Sequence, residues 1–185
     1  VDVATKLSEG NYSGVPLDTA TVTGTFGTNY TIPTKTFTGF TKNTTQPADP
    51  NGGKFVVNPA VVYVEYTKNS YNLTVKHDYP GTALDTQEGP TATPFDTPIT
   101  KNAVPKTGYT LTDITWSDPL TDNDASIDDG TITGKMPASD VTITFVYSAN
   151  TDTAYKVEHY FEKLGDTGFT KDATDDNLTG TTGES

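Results

Sequence analysis

The end of this chain repeats its beginning, and a repeated unit must be a block that stacks or strings along an axis. Glu162-Lys-Leu-Gly-Asp-Thr-Gly-Phe169 lies on Thr5-Lys-Leu-Ser-Glu-Gly-Asn-Tyr12, with Leu164 and Leu7 157 positions apart. Leu178-Thr-Gly-Thr-Thr-Gly183 lies on Val22-Thr-Gly-Thr-Phe-Gly27 at 156. A shorter period runs inside the longer one. Val62-Tyr-Val-Glu-Tyr-Thr-Lys-Asn69 matches Ile143-Thr-Phe-Val-Tyr-Ser-Ala-Asn150, with the tyrosines Tyr66 and Tyr147 81 apart. Val75-Lys-His77 matches Val157-Glu-His159, with the histidines 82 apart. Thr38-Gly-Phe-Thr41 returns as Thr107-Gly-Tyr-Thr110. The expected organisation is therefore three pieces of a tandem array. Residues 1–69 form a module with a shortened first strand, 70–150 a second module, and 151–185 the opening strand and tail of a third.

Period-two alternation predicts strands. Leu73, Val75, His77 and Tyr79 share one face of a run; Val141, Ile143, Phe145 and Tyr147 share another. Tyr155, Val157, His159 and Phe161 do the same within an expected strand from Ala154 to Leu164, followed by a loose Asp/Thr/Gly tail. Val62, Val64 and Tyr66 mark a fourth run, and Val1 to Leu7 a reduced one. Most Pro and Gly residues punctuate turns between the runs. A turn or two of helix is expected only at Asn123 to Asp128, because Thr, Gly and Pro are too dense elsewhere.

Leu, Ile, Val and Phe together make up just under a fifth of the 185 residues, which favours several thin cores over one large one. Roughly one residue in five is Thr, a β-branched residue suited to the wet face of strands. Net charge is −12 and every basic residue is Lys, which speaks against a nucleic-acid groove and against an anionic membrane surface. Zero Cys excludes disulfides, thiolate metal sites and a Cys nucleophile. No run is long and apolar enough to span a bilayer, and secretion and anchoring signals are expected outside this segment.

The motifs that carry chemistry read mostly as structure. His77 and His159 occupy equivalent repeat positions on apolar strand faces, so repeated packing explains them better than a zinc or catalytic pair. In the Asp118–Asp129 loop, Asp122, Asp124, Ser126 and Asp128 fall at the alternating spacing of a calcium loop. Ile127 stands where the turn Gly belongs, however, and Thr133 where the bidentate Glu belongs. A solvated acidic loop is expected, and no metal or cofactor. Trp116, the single Trp, reads as a core residue rather than a sugar-stacking platform. Lys76 and Lys156 lie in strands but alternate outward, so no Lys–Asn isopeptide bond is expected. No nucleophile elbow, phosphate loop or dinucleotide fingerprint is present, and the acids are too many for any pair to signal glycoside hydrolysis. No catalytic residue is assigned, and the ligand-binding residues are left open.

Thr21-Val-Thr-Gly-Thr-Phe-Gly-Thr-Asn-Tyr-Thr31, Phe37-Thr-Gly-Phe-Thr41 and Val62-Tyr-Val-Glu-Tyr66 resemble the mucin-binding protein (MucBP) repeats of Gram-positive surface proteins. Ala154-Tyr-Lys-Val-Glu-His-Tyr-Phe-Glu162 with Leu178-Thr-Gly-Thr-Thr-Gly-Glu184 resembles the opening half of such a repeat. Thr107-Gly-Tyr-Thr110, Trp116 and Gly134-Lys-Met-Pro-Ala-Ser-Asp-Val-Thr-Ile-Thr144 look more like the Listeria–Bacteroides repeat of bacterial surface proteins. The resemblance implies a mainly β chain of small β-grasp-like modules, with mixed sheets and little helix, in an elongated array. It implies an extracellular, cell-wall-attached adhesin that contacts mucin, other host glycans or extracellular matrix without catalysis. The alternative is a stalk that projects a distal adhesive domain. Strand exchange between copies is a further expectation, because the pieces are out of register.

Overall fold

The computed structural model describes residues 5–8, 11–13, 18–57, 61–82, 86–165 and 167–183. The protein is mainly β, and no helix occurs among the described residues. It divides into two compact units, Val1–Asn69 and Ser70–Ser185.

Unit 1 holds two short antiparallel pairs: β1 (Thr5–Ser8) with β2 (Asn11–Ser13), and β3 (Phe40–Lys42) with β4 (Tyr66–Lys68). Between them the chain is organised by side chains. The Asp49 carboxylate accepts the backbone N–H groups of Asn51 at 2.8 Å and Gly53 at 3.1 Å, and also the Tyr30 hydroxyl. Tyr30 meets Phe55 edge-on at 5.4 Å, and Phe37 meets Tyr66 edge-on at 4.9 Å. None of the described large apolar side chains of unit 1 is fully buried. A unit with so little burial depends on its local hydrogen bonds.

Unit 2 contains β5 (Ser70–Asp78), β6 (Thr86–Pro94), β7 (Pro98–Asn102), β8 (Tyr109–Trp116), β9 (Thr121–Ser126), β10 (Thr131–Lys135) and β11 (Val141–Ala149). A four-stranded sheet has the order β6-β5-β11-β8, and a three-stranded sheet the order β7-β10-β9. The central pair β5·β11 is parallel, with Val141 opposite Leu73 and Phe145 opposite His77. All other pairs are antiparallel. The alternation dictates the core. Leu73, Val75, His77 and Tyr79 are buried, as are Val141, Ile143, Phe145 and Tyr147. Ile99 of β7, Ile114 of β8, Ile132 of β10, Leu120 and Met136 complete the cluster. Burying each such side chain contributes roughly 1.5–3 kcal/mol.

Unit 2 also carries a hairpin, β12 (Thr153–Glu162) with β13 (Phe169–Gly180). Thr182 N–H donates to the Asn150 carbonyl at 2.9 Å, which ties the base of the hairpin to the end of β11.

Several expectations are corrected. Asn123 to Asp128 form no helix; the segment pairs with β10 as β9 and then turns. Thr, Asp and Asn are poor helix formers, and β10 supplies the hydrogen bonds instead. The tail after Leu164 is not loose, since Phe169–Gly180 pairs with β12 along most of its length. Val62 to Glu65 lie outside β4, because side chains take the place of a strand there. The Gln46 amide oxygen accepts the Glu65 N–H at 2.7 Å. The reduced opening strand is seen as β1; Val1 and Val3 lie outside the described residues.

The recurring Thr-Gly-aromatic-Thr step has one structure in both units. Phe40 N–H donates to the Phe37 carbonyl, and Tyr109 N–H to the Lys106 carbonyl, each at 3.1 Å. Gly39 and Gly108 stand third in these turns with φ of 78° and 82°, a conformation that costs glycine little. Asn69 N–H then reaches the Gly39 carbonyl, and Asn150 N–H the Gly108 carbonyl, each at 2.8 Å.

Candidate ligand-binding surface

The loop from β7 to β8 and the turn from β9 to β10 lie side by side. Ala103 N–H donates to the Gly130 carbonyl at 2.7 Å and joins them. The Ser126 hydroxyl fixes the turn by donating to the Asp129 carboxylate at 2.9 Å and accepting the Asp129 N–H at 3.2 Å. A shallow groove of about 250 Å³ opens between the two segments. Pro105, Tyr109, Leu111 and Ile127 give it apolar walls, and Asp128 and Asp129 put carboxylates at its rim. Ile127 is 45% exposed and lies outside the core.

An aromatic cluster backs the groove. Tyr79 stacks on Tyr147 at 4.4 Å and meets Tyr109 edge-on at 5.4 Å. The Lys106 ammonium lies 4.5 Å from the Tyr79 ring centre and 5.5 Å from that of Tyr109, within cation–π range. Tyr79 and Tyr147 both donate their hydroxyls to the Val104 carbonyl, at 2.6 and 2.8 Å. Burial pushes the Tyr147 phenol far above its ordinary pKa, so it stays a neutral donor. The groove thus has apolar walls and two acids at its rim, and Lys106 sits on the aromatic cluster behind it.

His77 lies beneath this cluster with no exposed surface, stacked on Phe145 at 5.1 Å. Its Nδ1 is 3.3 Å from the Tyr147 hydroxyl, and its buried Nε2 has no partner. The Val104 N–H donates to the same Nδ1 at 3.5 Å, so Nδ1 holds the lone pair of the neutral imidazole. Nε2 then carries the hydrogen, and no acceptor meets it. Burial holds the imidazole below its ordinary pKa, partly opposed by the Glu88 carboxylate.

His159 corrects the expectation of repeated packing. It is exposed on β12 and lies 3.1 Å from the Asp175 carboxylate. The equivalent strand position is buried in β5 only because β11 and the three-stranded sheet cover it. The structure therefore does not bring the two histidines together.

The calcium-loop residues also diverge. The Asp122 carboxylate pairs with Lys135 at 2.9 Å, Ser126 serves Asp129, and Asp124 sits in β9 opposite Thr133. Among the described residues no group of three or more His, Cys, Asp or Glu is placed to hold a metal ion. Trp116 is half-buried against the edge of the core, at the register of Ile143, and takes no part in the groove. Lys76 is half-buried on the outer face of β5, and Lys156 pairs with Glu158 at 2.7 Å.

Tyr109 and Ile127 carry the groove, and the sequence did not single them out as a site. The signals were present as two separate turns, Lys106-Thr-Gly-Tyr109 and Ile127-Asp-Asp-Gly130. Only the sheet pairing makes them neighbours. No family model, no curated protein and no solved structure matches the chain. Among the described residues no helix is long and apolar enough to cross a membrane.

Proposed function

We propose that the chain is a repeat segment of a bacterial cell-surface adhesin of the MucBP type, built of β-grasp-like modules, that binds mucin or other host glycans without catalysis. The groove beside Tyr109 is the observation that carries this reading. An apolar wall with an aromatic ring suits the C–H face of a sugar, and rim carboxylates accept hydroxyl hydrogens. The acidity, the exclusive use of Lys and the absence of Cys agree with an extracellular wall protein. The repeated turn and clasp in the two units agree with a tandem array.

A glycan and mucin array probed with the whole chain tests it. Retention is expected on particular glycans, and Ile127→Lys is expected to weaken it at least about tenfold, a loss of about 1.4 kcal/mol. Ile127 is outside the core, so the variant stays folded. Retention that Ile127→Lys leaves unchanged removes the groove from the reading. No retention on any glycan or mucin leaves the stalk.

A further inference from the structure

Val104 fastens the β7–β8 loop to the core through its backbone. Its side chain is 42% exposed, and its peptide groups turn inward. The Val104 N–H donates to His77 Nδ1 at 3.5 Å, and the Val104 carbonyl accepts the Tyr79 and Tyr147 hydroxyls. The residues on either side, Ala103 and Pro105, line the groove, and Ala103 N–H carries the bond to Gly130 that joins its two segments. One wall of the groove is therefore held in place by a ring that titrates.

His77 can accept from that wall only while neutral, because an imidazolium donates from both nitrogens. Protonation sets Nδ1–H against the Val104 N–H and puts a charge where Nε2 has no acceptor. The groups around the ring give little relief. Glu88 of β6 is the carboxylate that bears on it, and Lys101 of β7 already engages Glu88 at 2.9 Å. Tyr79 of β5 and Tyr147 of β11 give their hydroxyl hydrogens to Val104. The Tyr147 oxygen, 3.3 Å from Nδ1, is an acceptor for the new hydrogen, but the Val104 N–H is then left unpaired. Tyr109 of β8 and Lys106 of the loop meet Tyr79, and Lys106 adds a second positive charge. Buried side chains anchor β5 and β11, whereas Val104 lies outside any strand. Releasing the loop is the less costly way to bring water to the ring.

We propose that protonation of His77 releases the segment from Ala103 to Pro105 and dismantles the groove, so that the chain holds its ligand at neutral pH and lets it go in mild acid. The loss of binding rests on the glycan reading of the groove; the release of the loop does not. Burial holds the imidazole of the closed loop below its ordinary pKa of 6.5, and in the open loop the ring meets water. The open state therefore takes up the proton first. Below about pH 6.5, each pH unit favours opening by up to about tenfold.

Amide hydrogen exchange of the whole chain, followed by NMR, tests the release. Between about pH 7.5 and about pH 5.5, above the ordinary carboxylate range, the protection factors of Ala103 and Val104 are expected to fall at least about fivefold. The β11 amides are expected to stay better protected throughout, which marks a local opening. His77→Phe and His77→Gln, the second keeping an acceptor for the Val104 N–H, are expected to remove the pH dependence. His159→Gln, at an exposed position, is expected to keep it. Retention on mucin at the same two pH values is expected to fall with loop protection in the unmodified chain and to stay level in the His77 variants. Loss of protection with no retention at either pH upholds the switch and removes the glycan reading. Protection of Ala103 and Val104 that does not change with pH overturns the proposal. So does a fall that the His77 variants share, a fall that Val104 and β11 undergo as one unfolding event, or retention that the opening leaves intact.

Discussion

The Thr110 hydroxyl donates to the Asn150 side-chain oxygen at 2.7 Å, as the Thr41 hydroxyl donates to that of Asn69 at 2.6 Å. Each Asn also gives its N–H to the carbonyl of the turn glycine, so one residue locks turn to closing strand twice. Asn150→Ala keeps the backbone bond and loses the side-chain one. It is expected to cost about 0.5–1.5 kcal/mol of unit 2 stability in chemical denaturation. Asn69→Ala is expected to act on unit 1 alone, and proportionally more, because none of the described large apolar side chains of unit 1 is fully buried. Identical transitions for both variants would contradict this.

His77 makes unit 2 sensitive to mild acid. Its folded pKa lies below the ordinary 6.5, so as pH falls the unfolded chain takes up the proton first. Stability is full above about pH 6.5 and declines below it, by up to about 1.4 kcal/mol per pH unit. His77→Phe fills the same stacked site against Phe145 and removes the orphaned Nε2. The expected outcome is a flatter profile between pH 6.5 and 5, read from melting temperature against pH. An unchanged slope would assign the sensitivity elsewhere.

Gly89 has φ 89°, and a Cβ placed on it would stand 2.4 Å from the Leu73 carbonyl oxygen. It would also stand 2.9 Å from the Thr91 backbone nitrogen; neither contact is a flexible side-chain end, so the bulge of β6 must open. Gly89→Ala is expected to destabilise unit 2 by more than about 2 kcal/mol, from the left-handed conformation and the clash together. Gly27→Ala, at φ 79° with nothing near its Cβ, serves as the control that carries the conformational cost alone.

Glu158 gathers Lys156 at 2.7 Å, Tyr160 at 2.7 Å and Lys171 at 3.0 Å on the outer face of the hairpin. These donors hold its carboxyl down to about 2. Their support is present above the ordinary carboxyl pKa of 4.5 and is lost as pH falls toward 2. Amide exchange in β12–β13 is therefore expected to accelerate in that window, ahead of exchange in β5 and β11. Glu158→Gln should bring the faster exchange to neutral pH. The interactions are exposed, so added salt should weaken the difference.

The strands of unit 2 were legible because alternation in Leu73–Tyr79 and Val141–Tyr147 reports directly which face turns inward. The repeat was legible too, and the shared turn of Gly39 and Gly108 follows from the local chemistry of Thr-Gly-aromatic-Thr. The strand β13 was not, because Thr, Asp and Asn at its positions carry no apolar period; its pairing rests on backbone bonds to β12. Burial was not legible either. His77 and His159 have the same local pattern, yet one is sealed and the other exposed.

By itself, then, the sequence determined what is local: the mainly β character, the turns and the side-chain alternation of the strands. Tertiary structure alone decided which faces are covered and which turns meet at the groove beside Tyr109. The physical reason is range. Side-chain alternation and turn propensity act over a few residues, whereas covering His77 or placing Ile127 beside Tyr109 requires strands that are dozens of residues apart to pair in one register.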